Sequence, residues 1–135
     1  MDTLSKRERS TRMGLIKSKN TSPEMIVRAF VHRLGYRYRL HGAKLPGRPD
    51  LVFAGRRKVI FVHGCFWHRH NRCSLARLPK SRQEFWLPKL KSNKARDAVN
   101  LRALTRLGWT SMVIWECELR DPIRAMIKTL VFLED

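Results

Sequence analysis

Apolar residues recur along this chain with two different periods, and each change of period marks a change of element. After Ser22, Pro23 and Glu24, the side chains of Met25, Ile26, Ala29, Phe30 and Leu34 follow at helical spacing until Gly35. A capping residue, an early proline and a first-turn acid open a helix, and a glycine closes it. Alternation takes over at Tyr36–Leu40, which reads as a strand. Asp50–Ala54 and Lys58–His63 read as two more strands, joined into a hairpin by a tight turn at Gly55, Arg56 and Arg57. From Ser81, with Glu84 three residues on as a capping box, a helical pattern runs to Gly108, with an interruption expected at Pro88 and a restart around Ser92 or Asn93. Trp109–Trp115 is the fourth strand. Asp121 and Pro122 then open a last helix, whose core stripe is read as Ile123, Met126, Ile127, Leu130 and Val131. The order α-β-β-β-α-β-α predicts an α/β fold with a mixed sheet, because a helix between two strands favours a parallel crossover, and helices on both faces.

A chain of 135 residues holds one compact domain, and its 43% hydrophobic content is enough to close one core. The domain is assigned to residues 21–135. Residues 1–20 are polar, basic and weakly periodic, as an arm that orders on nucleic acid would be, and Met13 lies there among basic neighbours. No uninterrupted apolar run exceeds four residues, Val59–Val62 being one, far short of the roughly 20 needed to cross a bilayer. The N-terminus carries no apolar segment or cleavage site of the secretory kind, so the expected compartment is cytoplasmic.

Charge narrows the function classes. Lys and Arg number 29 against 11 Asp and Glu, a formal net charge of +18. Self-repulsion of that size implies a polyanionic partner. The excess is uneven: residues 51–115 carry 14 basic side chains and two acids, Glu84 and Asp97, whereas residues 116–135 carry five acids against three bases.

Two places in the pattern carry chemistry. With the hairpin turn centred on Arg56, opposed residues sum to about 112 and Asp50 faces Val62 at the open end. One carboxylate, the Val62 carbonyl and the His63 imidazole then share a rim of the sheet. Hard oxygen ligands with positions left for water suit Mg²⁺ acting on a phosphodiester. The second place is HGCFWHRHNRC at 63–73, which holds three of the five histidines and two of the three cysteines. Cys65, a histidine, Cys73 and the remote Cys117 make a closed tetrahedral set for a structural Zn²⁺, with His68 and His70 both eligible as the imidazole ligand. The histidine left over, beside Asp50, can take a proton from water if a carboxylate holds its other nitrogen, and Glu24 is the candidate for that. Phe66 and Trp67 sit among Arg69, Arg72 and Arg77, where aromatics stack on bases or wedge between base steps. Phe85 and Trp86, on a helix, read first as core.

PGRPD at 46–50, FVHGCFWH at 61–68, EFWLPKL at 84–90 and GWTSMVIWEC at 108–117 together resemble the very-short-patch mismatch repair (Vsr) endonucleases, a family of the PD-(D/E)xK, restriction-endonuclease-like, superfamily. The resemblance covers roughly residues 9–120. It implies a cytoplasmic, nucleoid-associated monomer that nicks one strand of double-stranded DNA 5′ to the thymine of a T·G mismatch, using two Mg²⁺ and one structural Zn²⁺, with mismatch-repair proteins as further partners. Under it, Asp50 bridges the catalytic metal and the Val62 carbonyl joins it. His68 is the general base, Glu24 orients that base, and His63 assists at the scissile phosphate. Cys65, His70, Cys73 and Cys117 match the zinc ligands. Met13, Phe66 and Trp67 match side chains that intercalate beside the mismatch, and Trp86, Lys89 and Asn93 complete the DNA-binding set. Two departures stand out: Val62 occupies a position expected to be threonine, and Asn71-Arg72 stands where one histidine is expected between His70 and Cys73.

Overall fold

The computed structural model describes residues 21–135. The anticipated element order holds. Helix α1 (Ser22–Arg33) leads to strands β1 (Arg39–Leu40), β2 (Leu51–Phe53) and β3 (Lys58–His63); helix α2 (Gln83–Arg106), strand β4 (Thr110–Trp115) and helix α3 (Pro122–Glu134) follow. The four strands lie in sequence order, antiparallel from β1 to β3, with β3 and β4 parallel, so the sheet is mixed. Among the described residues, no helix is long and apolar enough to cross a membrane.

Local chemistry explains the helix ends. Thr21, one residue before the expected cap, accepts from the Glu24 N–H through Oγ1 at 3.4 Å. Pro23 follows inside the first turn, where its missing N–H costs nothing. Gly35 (φ 91) and Gly108 (φ 86) take the left-handed conformation just past α1 and α2. Asp121 caps α3 through the Arg124 N–H at 3.2 Å.

The sheet buries both faces. On one face Val27, Phe30 and Val31 of α1 meet Leu51, Phe53, Ile60 and Ile114, together with Ala125 and Leu133 of α3. On the other, Val52, Val59 and Phe61 pack against Leu104 of α2. Strands β2 and β3 are therefore apolar on both sides at their centres, as a sheet covered twice requires.

Several expectations need correction, among them the core reading of Phe85, which is exposed. Helix α2 is continuous through Pro88. The proline stands in the second turn, where it removes one hydrogen bond while the rest of the 24-residue ladder continues. Its N-cap is Arg82 in a left-handed conformation with no side-chain cap, so the Ser81–Glu84 box does not form. The hairpin turn is a 3₁₀ turn, Ala54–Arg56, closed by left-handed Arg57. That extra length sets the register at Leu51↔Ile60 and Val52↔Val59, which continues to Asp50 opposite Phe61 rather than Val62. Finally, α3 does not bury its most apolar stripe: Ile123, Ile127, Leu130 and Val131 are exposed, and Ala125, Thr129 and Leu133 face inward. Thr129 satisfies its hydroxyl on the Ala125 carbonyl at 2.8 Å. Lys58 and Arg56 hold the C-terminal end through the Phe132 and Leu133 carbonyls. Helix α1 shows the same rotation, with Met25 and Ile26 exposed and Glu24, Val27, Phe30 and Val31 buried.

Lys89, Asn93, Asp97, Leu101 and Leu104 fall on one stripe of α2 by their spacing. The stripe begins among aromatic rings and ends in the core.

Because Ile114 is fully buried and Ile127 is not, Ile114→Ala is expected to lower the unfolding free energy by roughly 2–5 kcal/mol and Ile127→Ala by less than about 0.5 kcal/mol, measured by urea denaturation.

Candidate active site and metal centre

The C-terminal end of β3 and the start of β2 bring the chemistry together. Asp50 precedes β2, behind the buried Pro49, and its Oδ2 accepts the Val62 N–H at 2.6 Å. The one-residue change of register thus leaves Asp50 and Val62 in contact. His63 ends β3 and stacks on His68 with centroids 3.7 Å apart and planes within 6°. Asp50, Val62 and His68 line two adjoining lobes of a cleft, of ≈ 440 and ≈ 590 Å³. His41, His63 and Asp97 complete the first lobe; Phe66, Trp67 and Lys89 border the second.

The carboxylate that holds His68 is Asp97, whose Oδ2 lies 2.6 Å from Nδ1. Glu24 holds a different histidine: its Oε2 lies 3.0 Å from His41 Nε2 and 3.5 Å from Arg28. Sequence reasoning passed over both Asp97 and His41. For Asp97 a signal existed, since it is one of two acids among 14 basic residues in 51–115. For His41, isolated in a loop, there was none.

Burial governs the electrostatics. Asp50 is pushed up to about 7, first by desolvation and then by the adjacent Glu24 carboxyl, against the lowering effect of the Val62 N–H. A buried carboxyl (Glu24) beside a half-buried one (Asp50) suits a cation, which would relieve both their desolvation and their repulsion. His63 is pushed down to about 4 by burial and then by His68. It is neutral at physiological pH, and its Nδ1 has no hydrogen-bond partner among the described residues.

A second cluster lies behind the first. One ligand atom from each of Cys65, His70, Cys73 and Cys117 falls within 4.8 Å of all the others. Burial pushes the Cys65 thiol up to about 12 and raises Cys117. Desolvation raises Cys73 too, but the Leu75 N–H and the neighbouring thiols outweigh it, and its pKa is lowered. Three crowded thiols and one imidazole form a donor set suited to a thiophilic divalent metal, which would hold the sulfurs as thiolates. Trp115 joins the two clusters: His70 stacks on it at 4.0 Å and His63 meets it edge-on at 5.1 Å.

Phe66, Trp67, Phe85 and Trp86 form a chain of edge-on aromatic contacts, with centroids 5.0–5.9 Å apart. Lys89 Nζ sits 5.8 Å from the Trp67 ring and 5.9 Å from Phe85. Asn93 donates to the Trp67 carbonyl at 3.2 Å, tying the loop to α2. Met13 lies outside the described residues.

Comparison with known proteins agrees with this chemistry. A family model described as DNA mismatch endonuclease Vsr matches residues 1–74. The chain is 52% identical over 120 residues to the type II nicking enzyme V.XorIIP of Xanthomonas oryzae, covering 89% of this chain and 88% of that one. It is 41% identical to the type II nicking enzyme V.NmeAIP of Neisseria meningitidis, covering 89% and 85%. With the DNA mismatch endonuclease Vsr of Escherichia coli it shares 42% identity, covering 88% and 76%.

The raised Asp50 pKa carries a stability signature. A carboxyl whose folded pKa is about 7 against a usual 3.8 favours the fold while protonated, so its contribution is complete below about pH 4 and is lost as pH rises through about 7. Without added metal, Asp50→Asn is expected to be more stable than wild type above pH 7, by on the order of 2 kcal/mol, with the difference closing toward about pH 4. Denaturation across that range checks it.

Proposed function

The chain belongs to the Vsr family of DNA endonucleases, and from that premise we propose that it nicks one strand of duplex DNA 5′ to the thymine of a T·G mismatch. The reading adopts a PD-(D/E)xK-type core in which Asp50 and the Val62 carbonyl would hold Mg²⁺. The single observation that carries it is the convergence of Asp50 with the Asp97–His68–His63 array in one cleft.

Two Mg²⁺ ions at Asp50 would supply charge neutralisation at the scissile phosphate and a more acidic water. The chain's own residues do the rest. With Asp97 fixing Nδ1, His68 presents its other ring nitrogen for the proton of the attacking water. The new bond joins that water's oxygen to phosphorus as the bond to the 3′ oxygen breaks, leaving a 3′-hydroxyl and a 5′-phosphate. His63, kept neutral by burial, assists at the phosphate. In this scheme Asp97 takes the orienting role expected of Glu24, which acts on Asp50 instead. Phe66 and Trp67 stand beside the cleft as the wedge, with Trp86 and Lys89 supporting them and Asn93 fixing the loop; Met13 is assigned to the opposite groove. Zn²⁺ on Cys65, His70, Cys73 and Cys117 would be structural, since four protein ligands leave no open position.

A second reading keeps the chemistry and drops the mismatch. It is favoured by the relatives named type II nicking enzymes, at 52% and 41% identity.

Nicking assays on T·G, G·T and matched duplexes of one sequence separate these readings. The expected outcome is cleavage of the T·G strand alone, with Asp50→Ala abolishing nicking while DNA affinity changes by less than about threefold; an Asp50→Ala protein that still nicks refutes the metal assignment. Cys73→Ser is expected to release zinc and to lower Tm by about 10 °C or more, and stoichiometric zinc in that variant refutes the four-ligand site.

A further inference from the structure

His41 belongs to none of the motifs that carry the family resemblance, yet it stands at the cation site. The chain leaves β1 at Leu40 and turns at His41, whose φ of 51 is left-handed, a region few residues other than glycine occupy. The turn is fastened by main-chain bonds alone: the His41 N–H donates to the Asp50 carbonyl at 3.0 Å, and the Gly42 N–H to the Pro49 carbonyl at 2.9 Å. The imidazole is not needed for that fastening. It reaches instead across to α1, where Nε2 lies 3.0 Å from Glu24 Oε2.

Glu24 is 1% exposed and touches the Asp50 carboxyl. A buried carboxylate can present either oxygen, and the groups that bond it decide which. Arg28 lies farther off, at 3.5 Å. His41 gives the shorter bond. Its backbone is bonded to Asp50 itself, so ring, Glu24 and Asp50 form one closed mechanical loop.

We propose that His41 is a positioning residue of the cation site: the hydrogen bond from its Nε2 holds the Glu24 carboxylate beside Asp50, and divalent-cation affinity depends on that donated bond. The inference rests on the reading of Asp50 as a cation ligand. A merely structural ion pair would affect folding and leave cation affinity alone.

The test is Mn²⁺ binding to the full-length protein, followed by electron paramagnetic resonance, with Tm recorded on the same samples. His41→Ala removes the donor, whereas His41→Gln keeps an amide N–H within reach of Glu24. The expected result is about tenfold weaker Mn²⁺ binding for His41→Ala and affinity within about threefold of wild type for His41→Gln, the size of effect that one hydrogen bond to a charged group supports. Unchanged Mn²⁺ affinity in His41→Ala, with or without a fall in Tm, overturns the proposal. So does His41→Gln binding as weakly as His41→Ala. Wild-type protein that fails to bind Mn²⁺, or Asp50→Ala that binds it as wild type does, overturns the underlying assignment of Asp50 and this inference with it.

Discussion

The parallel pairing of β3 with β4 is the constraint from which the rest of the molecule hangs. It sets His63 beside Trp115 at the strand ends, and each functional cluster is built outward from one of those residues. His68 stacks on His63 toward the cleft, and His70 stacks on Trp115 toward the cysteines. A single indole therefore walls both sites. Parallel strands need a long crossover between them, and here the crossover is the loop that supplies Cys65, His70 and Cys73 and the helix that supplies Asp97. The connection that the topology demands thus contributes to both clusters.

Against this frame, the site stores unfavourable electrostatics. The half-buried Asp50 and the buried Glu24 are in contact, within a chain whose net charge is +18. A nonspecific nucleic-acid binder has no use for two desolvated carboxyls in contact, since its affinity comes from exposed cations meeting phosphates. Keeping them together costs stability, a cost that a bound cation would offset. On the proposed reading the acids and the basic surface answer different parts of one substrate: the surface would attract the polyanion as a whole, and the cleft would address a single phosphate.

What the sequence disclosed depended on how local each signal was. Helix ends were legible within a residue because Thr21, Pro23, Gly35, Gly108 and Asp121 act on their own backbone. The cysteine and histidine cluster was legible from crowding along the chain. Facing was harder to read. The buried stripe of α3 runs through Ala125 and Thr129, residues of little hydrophobicity, because small side chains let a helix lie close, while isoleucines point outward. Pro88 misled because its effect depends on depth within a helix, which only the true start at Gln83 reveals. The hairpin register slipped by one because left-handed Arg57 lengthens the turn. Partnerships across long separations were the least accessible. Glu24 finds His41 and Asp97 finds His68 only after the sheet has closed, and no spacing along the chain encodes either pair.

Helix α2 imposes one more condition. Asp97, at the His68 end, and Lys89, beside the Trp67 ring, are separated by a little over two turns of uninterrupted helix, about 12 Å at the standard rise. That span is on the order of three to four stacked base pairs. On the proposed reading, the helix therefore gauges the interval between the carboxylate that holds His68 and the lysine beside the Trp67 ring. One residue added or removed within it would rotate its ends out of phase by about 100°. The helix thus ties the placement of Asp97 to that of Lys89.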